Sequence, residues 1–263
     1  MNQEKKYPLS VVMIAHNEAE NLERCLDSVA SWVNEIILVI NDCTDSTMDI
    51  ARGYNAQVHE HEWRGYRDQK NLTLDYVTQP WILSLDADEE VSAKLKASII
   101  SFINNDSNTF NGAYFPRKVW FMGRWIKHGD WYPDYSLRLF RAGNARWGGG
   151  SEHEKIDLDG VAQKISGDLH HYTYPSLNAQ IEKIIYFSDI FLKRQLEAGK
   201  RWSVIHTVMR PWWRFIRGYF IKFGFMDGFP GFYIAVSMAF YTLVRYSKLY
   251  EHNKSKNDKS NPV

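Results

Sequence analysis

The segment WILSLDADEE, residues 81–90, is the most informative part of the sequence, because a short apolar run ends there in a cluster of acidic side chains. Residues 81–85 predict a buried strand, since a brief apolar run bounded by polar residues is typical of a strand covered on both faces. Asp86 and Asp88 follow at its carboxyl end, where open α/β sheets bind their ligands. The segment therefore predicts an α/β protein with a site after this strand.

The residues before this strand alternate apolar runs with amphipathic stretches. Residues 10–15 and 35–40 predict two strands, and residues 57–59 a weaker third. Asn17 stands three residues before Glu20, which predicts a helix N-cap with its capping-box partner. This alternation is typical of a mostly parallel, Rossmann-like sheet flanked by helices.

The pattern changes twice in the second half of the chain. Residues 113–121 and 135–140 predict further strands, and the sequence becomes helical from Ser176. We predict a catalytic domain over residues 1–175, a helical C-terminal region over 176–252 and a disordered tail over 253–263.

Cysteine content and the first residues bear on the compartment. Two cysteines form no disulfide framework, and no CxxC pair suggests a zinc site, so we expect a reducing environment. The first apolar run, residues 9–15, is too short for a secretory signal. We expect a cytoplasmic protein.

Charge and aromatic residues concentrate near the C-terminus. Residues 193–256 hold 12 Lys/Arg against 3 Asp/Glu, whereas residues 1–192 hold 19 against 27. Basic and aromatic side chains together predict contact with a membrane surface, and no nucleic-acid motif accompanies them. The uncharged stretch 228–244 would extend about 25 Å as a helix, short of the roughly 30 Å hydrocarbon core. We expect a peripheral helix here, with a subunit interface in a homo-oligomer as the open alternative.

The acidic residues after the apolar run 81–85 predict a metal site. Mg²⁺ or Mn²⁺ accepts one or two carboxylates when substrate phosphates supply the other ligands. Asp88 is the candidate ligand. Acidic residues at a helix start are the alternative, which suits Glu89 and Glu90.

The chain resembles glycosyltransferase family 2, the inverting, nucleotide-sugar-dependent enzymes of GT-A fold. The segments that carry the resemblance are SVVMIAHNEAENLERCLDSV (10–29), EIILVINDCTDSTMDIA (35–51), WRGYRDQKN (63–71) and WILSLDADE (81–89). Within the family it looks most like the lipopolysaccharide-core β-1,4-glucosyltransferase branch, through YPDYSLRLFRAGNARWGGG (132–150), HHYTY (170–174) and FMDGFPGFYIA (225–235).

The resemblance implies a UDP-sugar donor that binds at the ends of the first strands. Ala15, Asn17 and Glu18 would contact the uridine, with Glu18 accepting from the ribose hydroxyls, and Asp42 would accept from the uracil N3–H. For Glu18, an acidic first helical turn is the alternative. The family pattern around Asp42 is closer to DxxSxD, from which Cys43 and Thr44 depart.

The same resemblance assigns the diphosphate and metal. Arg67, Lys70 and Asn71 share a helical face suited to a diphosphate, or form a solvated surface. Asp86 and Ala87 would border the nucleotide. Asp88 would bind the metal, with His171 as a second ligand or as a structural histidine.

The candidate general base lies in the segment GGGSEHE, residues 148–154. Inverting transfer needs a carboxylate that takes the proton of the attacking hydroxyl. Alignment with the family favours Glu154, and Glu152, two residues away, is its rival; an ordinary glycine loop is the alternative. Nearby, Arg138 is expected either to contact a sugar or to pair with Asp134 at the surface.

These observations predict a metal-dependent inverting glycosyltransferase. It would move a hexose, glucose from UDP-glucose by resemblance, to a hydroxyl of a lipid-anchored saccharide such as the lipopolysaccharide inner core, at the inner face of the cell membrane. A nucleotidyltransferase of sugar metabolism and a non-catalytic membrane scaffold of the same fold are the alternatives.

Overall fold

The computed structural model describes residues 5–105, 109–150 and 153–260. The chain divides into two compact units, Met1–Lys118 with Asp134–Tyr172, and Val119–Pro133 with Thr173–Val263. We call them the first and the second unit. The second unit thus includes residues 119–133, which precede the helical region delimited from the sequence.

A ten-stranded mixed sheet with the order β3-β2-β1-β4-β8-β6-β12-β5 organises the fold, and β11 and β7 pair with β6. Its strands are β1 (Tyr7–Ala15), β2 (Val33–Ile40), β3 (Gln57–Glu60), β4 (Trp81–Ser84), β5 (Glu89–Val91), β6 (Gly112–Phe121), β7 (Arg124–Trp125), β8 (Asp134–Arg141), β11 (Ala162–Lys164) and β12 (Leu169–His171). A separate two-stranded sheet pairs β9 (Ala145–Gly150) with β10 (His153–Leu158).

The part of the sheet formed by β3, β2, β1 and β4 is parallel. The helices of this unit are α1 (Ala19–Asp27), α2 (Thr47–Gly53), α3 (Tyr66–Leu74) and α4 (Ala93–Ile103). β8 then pairs antiparallel with both β4 and β6. The predicted α/β class with a Rossmann-like parallel part flanked by helices is confirmed, and the β-rich middle of the sequence adds the antiparallel part.

Apolar side chains cover both faces of the parallel strands, which explains why these strands read as continuous apolar runs. Val11 and Leu38 belong to one buried cluster, together with side chains of α1, α2 and α4. Their sequence neighbours Val12 and Ile37 belong to a second cluster on the other face. Alternation along a strand sends successive side chains to opposite faces.

Two local predictions need correction. α1 begins at Ala19, and its N-cap residue is Glu18 rather than Asn17. Glu89 begins the short strand β5 instead of a helix, and the helix that follows is α4, whose N-cap Ser92 accepts a hydrogen bond from the Leu95 amide at 3.3 Å.

The second unit is mainly helical. It contains α5 (Leu177–Glu197), α6 (Val204–Ile216), a π-helical turn (Arg217–Ile221), a 3₁₀ turn (Gly224–Asp227) and α7 (Gly228–Ser260). Helix α7 therefore continues through residues 253–260 of the segment expected to be a disordered tail. Gln180 on α5 donates to Ser237 on α7 at 2.7 Å and accepts from Tyr233 at 3.0 Å, which ties these helices together.

No individual helix in the described part of the chain is both long and apolar enough to cross a membrane. Two consecutive helical segments are long and apolar enough when taken together. They are Val204–Ile221 and Gly224–Ser255, and the chain bends by 69° between them.

Candidate active site

The carboxyl ends of β1, β2 and β4 lie side by side, because these strands are parallel neighbours. The order of the strands reverses between β1 and β4, and ligands of open α/β sheets bind at such a reversal. The residues that follow the three strands are those that the sequence singled out, beginning at His16, Asn41 and Leu85 respectively. This edge of the sheet is the candidate active site.

Asp86 holds two cations. Its Oδ1 lies 2.9 Å from Lys70 Nζ, and its Oδ2 accepts a hydrogen bond from Arg138 at 2.6 Å. Burial acts to raise the pKa of Asp86, but the charges of Arg138 and Lys70 outweigh it and hold that pKa well below its usual range. Asp86 is therefore a fixed anion, committed to protein contacts.

Arg138 also binds a second carboxylate, that of Glu89. It donates to Glu89 Oε1 at 3.0 Å, and the Glu89 side chain is fully buried. Burial and the Asp86 charge raise the pKa of Glu89, although Arg138, His171 and Arg117 act against them. The expected surface pairing of Arg138 with Asp134 is wrong, because Arg138 is buried and Asp134 pairs with Arg117.

Lys70 connects the acidic segment after β4 with the candidate base. Its ammonium lies 3.5 Å from Glu154 Oε1 and 4.5 Å from the centre of the Trp147 ring. Glu154 is on β10, opposite Gly149 of β9, so the β9–β10 hairpin brings the carboxylate to Lys70. The rival base, Glu152, lies outside the described residues.

Asp88 and His171 are brought together by the pairing of β12 with β5. In that antiparallel register His171 lies opposite Glu89, next to Asp88. Asp88 Oδ2 and His171 Nε2 are 3.3 Å apart, and the Tyr172 amide donates to the Asp88 carbonyl at 2.9 Å. Within the described residues, no group of three or more His, Cys, Asp or Glu side chains is arranged to hold a metal. A cation here would need ligands from a substrate.

Glu18 lies at the start of α1, partly buried. Asn21 donates to its Oε2 at 3.0 Å, and the Glu18 amide donates to Thr47 Oγ1 at 2.8 Å. Burial raises the pKa of Glu18, as do the charges of Asp88 and Asp86, while the Asn21 hydrogen bond lowers it. The carboxylates of Glu18, Asp86 and Asp88 therefore interact electrostatically.

Asn17 serves the loop after β2 rather than helix α1. Its backbone has a φ of 53°, in the left-handed region that asparagine tolerates better than most residues. Its Oδ1 accepts from the amides of Thr44 at 2.8 Å and Asp45 at 3.3 Å. Asp42 is exposed on that loop, also in a left-handed conformation with a φ of 41°. Asn17 thus shapes the loop that presents Asp42.

The predicted phosphate-binding residues of α3 separate in the structure. Asn71 is engaged by β9, since it donates to the Trp147 carbonyl and accepts from the Trp147 amide, both at 2.9 Å. Arg67 pairs with Asp68 at 2.7 Å and donates to the Gly149 carbonyl at 3.4 Å. Lys70 is the member of the set that reaches the carboxylates. Ala15 and Ala87 are buried beside them.

Sequence reasoning did not connect three residues with this site: Arg138 was expected at a sugar or in a surface pair, Glu89 at a helix start, and Trp147 was given no role. Each belongs to a segment that carried the family resemblance, but its partner lies far away in sequence. The arrangement places fixed cations and carboxylates together at the switch point of the sheet, which suits a substrate with a charged diphosphate and a reacting hydroxyl.

The chain is similar to several known glycosyltransferases. The family model described as Glycosyl transferase family 2 matches residues 10–157. An uncharacterized glycosyltransferase of Rickettsia bellii is 30% identical over 255 residues, covering 92% of this chain and 86% of that protein. The lipopolysaccharide core biosynthesis glycosyltransferase LpsC of Rhizobium meliloti is 28% identical over 258 residues, covering 95% of each chain.

Among solved structures, S. aureus TarS 1–349 in complex with UDP-GlcNAc has a TM-score of 0.46 and 12% identity, covering 94% of this chain and 92% of that one. The family model spans more than half of the chain, from the first strand into the β9–β10 hairpin that carries Glu154. The protein is therefore a transferase that belongs to glycosyl transferase family 2.

Proposed function

We propose that this chain transfers a hexose from a UDP-sugar, with inversion, to a hydroxyl of a lipid-anchored saccharide such as the lipopolysaccharide inner core. Glucose is the sugar that the sequence resemblance favours. The observation that carries the proposal is the contact of Lys70 with both Asp86 and Glu154, because it puts the candidate base beside the acidic segment after β4. The likeness to LpsC, a lipopolysaccharide core biosynthesis glycosyltransferase, supports this acceptor class.

The donor would lie along the carboxyl ends of the parallel strands. Asp42, which is exposed, would accept from the uracil N3–H, and Glu18, which is partly buried, would accept from the ribose hydroxyls. Lys70 would neutralise part of the diphosphate charge, and Arg67, on the same face of α3 but more exposed, would contribute from the rim.

Asp88 and His171 fit a divalent cation such as Mg²⁺ or Mn²⁺. A carboxylate oxygen and an imidazole nitrogen 3.3 Å apart are both ligands that Mn²⁺ accepts, and both side chains are partly exposed. When bound, the cation would stabilise negative charge on the departing diphosphate. The carboxylates of Asp86 and Glu89 are held by Arg138 and are not needed as ligands.

Glu154 would act as the general base. As the acceptor oxygen forms its bond to the anomeric carbon, the bond from that carbon to the UDP oxygen breaks, and the hydroxyl proton passes to the Glu154 carboxylate. A single displacement of this kind inverts the anomeric configuration. Glu152 remains the rival base.

A panel of nucleotide-sugars with Mn²⁺ or Mg²⁺ tests the donor and the reaction. We expect UDP release from one UDP-sugar, accelerated by an inner-core oligosaccharide acceptor, and a product of inverted anomeric configuration by NMR. Release of pyrophosphate from UTP with a sugar phosphate would instead indicate a nucleotidyltransferase. Absence of both activities, with no stabilisation by UDP, would contradict the enzymatic proposal.

A further inference from the structure

A cluster of three cations surrounds one buried carboxylate in the second unit. Arg214 Nε lies 2.6 Å from Asp130 Oδ2, while Arg217 Nη2 and Lys222 Nζ lie 2.7 and 3.3 Å from Oδ1. The Asp130 side chain is only 2% exposed. We call these four residues the Asp130 cluster. One negative charge against three positive ones leaves an excess of two positive charges.

This excess charge faces solvent. The side chains of Arg214, Arg217 and Lys222 remain 31, 35 and 42% exposed although they all contact Asp130. Burial lowers the pKa of Arg214, and the charges of Arg217 and Arg245 lower it further against the effect of Asp130. Asp130 neutralises only one of the three positive charges. A phosphate group that approaches the cluster would therefore be attracted by the remaining charge and could accept hydrogen bonds from the exposed cations.

Helix α6, which carries Arg214, and helix α7 present apolar rows to solvent. None of the 13 residues of α6, all of them described, is buried. Large apolar side chains, each exposed by 40% or more, recur at spacings of three or four on both helices and fill the turns between them. They are Ile205, Met209, Trp212 and Ile216 on α6, Phe229, Phe232, Val236 and Phe240 on α7, and Phe220, Phe223, Phe225 and Met226 in the turns.

Exposure on this scale marks a docking surface, since single chains in water rarely leave large contiguous apolar patches. The adjacent cations decide what docks there. In a two-fold symmetric contact with a second copy the same patch meets itself, so two clusters of excess positive charge would be brought near each other. An anionic bilayer offers acyl chains to the apolar rows and phosphates to the cations.

We propose that α6, the turns of residues 217–227 and the start of α7 bind a membrane containing anionic phospholipid, with the Asp130 cluster contacting lipid phosphates and the aromatic side chains of the turns among the acyl chains. The inference deepens the proposed function, because it explains how a lipid-anchored acceptor is reached. It predicts selectivity for headgroup charge, which apolar insertion alone would not give.

Co-flotation of the full-length protein with vesicles tests this surface. At 0.15 M salt we expect tighter binding to vesicles of phosphatidylcholine with 30% phosphatidylglycerol than to phosphatidylcholine alone. Arg217→Gln should weaken binding to the anionic vesicles about fivefold, the effect of about one surface cation. Lys193→Gln, which removes an exposed cation of α5, is the matched control and should leave binding unchanged.

Two further variants keep the test decisive. If Arg217→Gln fails to fold, Lys222→Gln replaces it, since Lys222 is the most exposed member of the cluster. Phe223→Ser with Phe225→Ser should weaken binding to both vesicle types. Equal binding to neutral and anionic vesicles would overturn the proposal, as would self-association without vesicle binding. UDP release by the wild-type protein is measured separately in solution. If the protein bound anionic vesicles but released no UDP from any UDP-sugar, the proposed function would be refuted and the docking surface would not.

Discussion

The ammonium of Lys70 lies 2.9 Å from Asp86 Oδ1. The same group lies 3.5 Å from Glu154 Oε1, so one cation links the acidic segment after β4 to the β9–β10 hairpin. Lys70 is buried, and its ion-pair partners are carboxylates. A diphosphate bound at this end of the strands would therefore compete with Glu154 for the Lys70 ammonium. Donor binding would then release the candidate base for its proton.

Replacement of Lys70 tests this link. Lys70→Met should reduce UDP release from the donor by roughly 100-fold, the effect of removing one preorganised group that stabilises developing charge. Lys94→Met, an exposed lysine of α4, should have no effect. Steady-state kinetics on both variants, with thermal unfolding to verify folding, checks this; unchanged turnover in a folded Lys70→Met would contradict the assignment.

Arg138 should matter for stability. Arg138→Met removes the main partner of the fully buried Glu89 carboxylate, and breaking a buried ion pair from one side costs about 3–5 kcal/mol. Arg146→Met, at an exposed position of β9, should change the free energy of unfolding by less than about 0.5 kcal/mol. Urea unfolding of the two variants makes the comparison. Equal, small changes would mean that the Arg138 charge is dispensable.

Glu154 and Glu152 can be separated as candidate bases. Glu154→Gln should lower kcat by roughly 10²–10⁴-fold, the range for a general base, while UDP binding measured by calorimetry is retained. Glu152→Gln should keep near-normal turnover. The reverse pattern would make Glu152 the base.

The Asp88 and His171 pair should control the response to cations. We expect Mn²⁺ to raise the UDP-dependent thermal stabilisation of the wild-type protein, and Asp88→Asn and His171→Ala to reduce this increment. Differential scanning fluorimetry with UDP, with and without Mn²⁺, measures it. Asp49→Asn, on an exposed position of α2, is the control. A full Mn²⁺ increment in both site variants would place the cation elsewhere.

Glu35 gives the fold an acid-sensitive contact away from the site. Burial would raise the pKa of Glu35, but hydrogen bonds from Ser10, Thr78 and Gln57 outweigh it and lower that pKa below the ordinary value of 4.5. A lowered pKa in the folded state means that Glu35 stabilises the fold above about pH 4.5 and loses this contribution as the pH falls through the folded value.

Glu35→Ala should therefore destabilise the protein at pH 7 by about 3 kcal/mol, because the buried hydroxyl of Ser10 and the amide of Thr78 lose their acceptor. Urea unfolding at pH 7 and below pH 4.5 should show a smaller gap between variant and wild type at the lower pH. Glu60→Ala, exposed at the end of β3, is the control. A gap that widened with acid would reverse the assigned sign.

The parallel strands could be predicted because their apolar runs are long and uninterrupted, as in residues 35–40, and because each run ends in polar residues. The run 81–85 also singled out Asp88, whereas Glu154 came from the family resemblance, and the roles of both stay predictions. The pairing of Arg138 with its sequence neighbour Asp134 was wrong, because the partners of Arg138 in space, Asp86 and Glu89, belong to a distant segment of the chain. Asn17 was misjudged for a similar reason: its acceptor oxygen is used by a loop 27 residues later.

The site joins residues that lie far apart in sequence, so its charged groups are synthesised at different times. Glu89 leaves the ribosome well before Arg138 and His171, which lie on β8 and β12. Until β8 inserts between β4 and β6, the nascent chain carries an acidic strand end without its chief counter-charge. A nascent chain that ends before residue 138 therefore lacks the guanidinium that pairs with both Asp86 and Glu89.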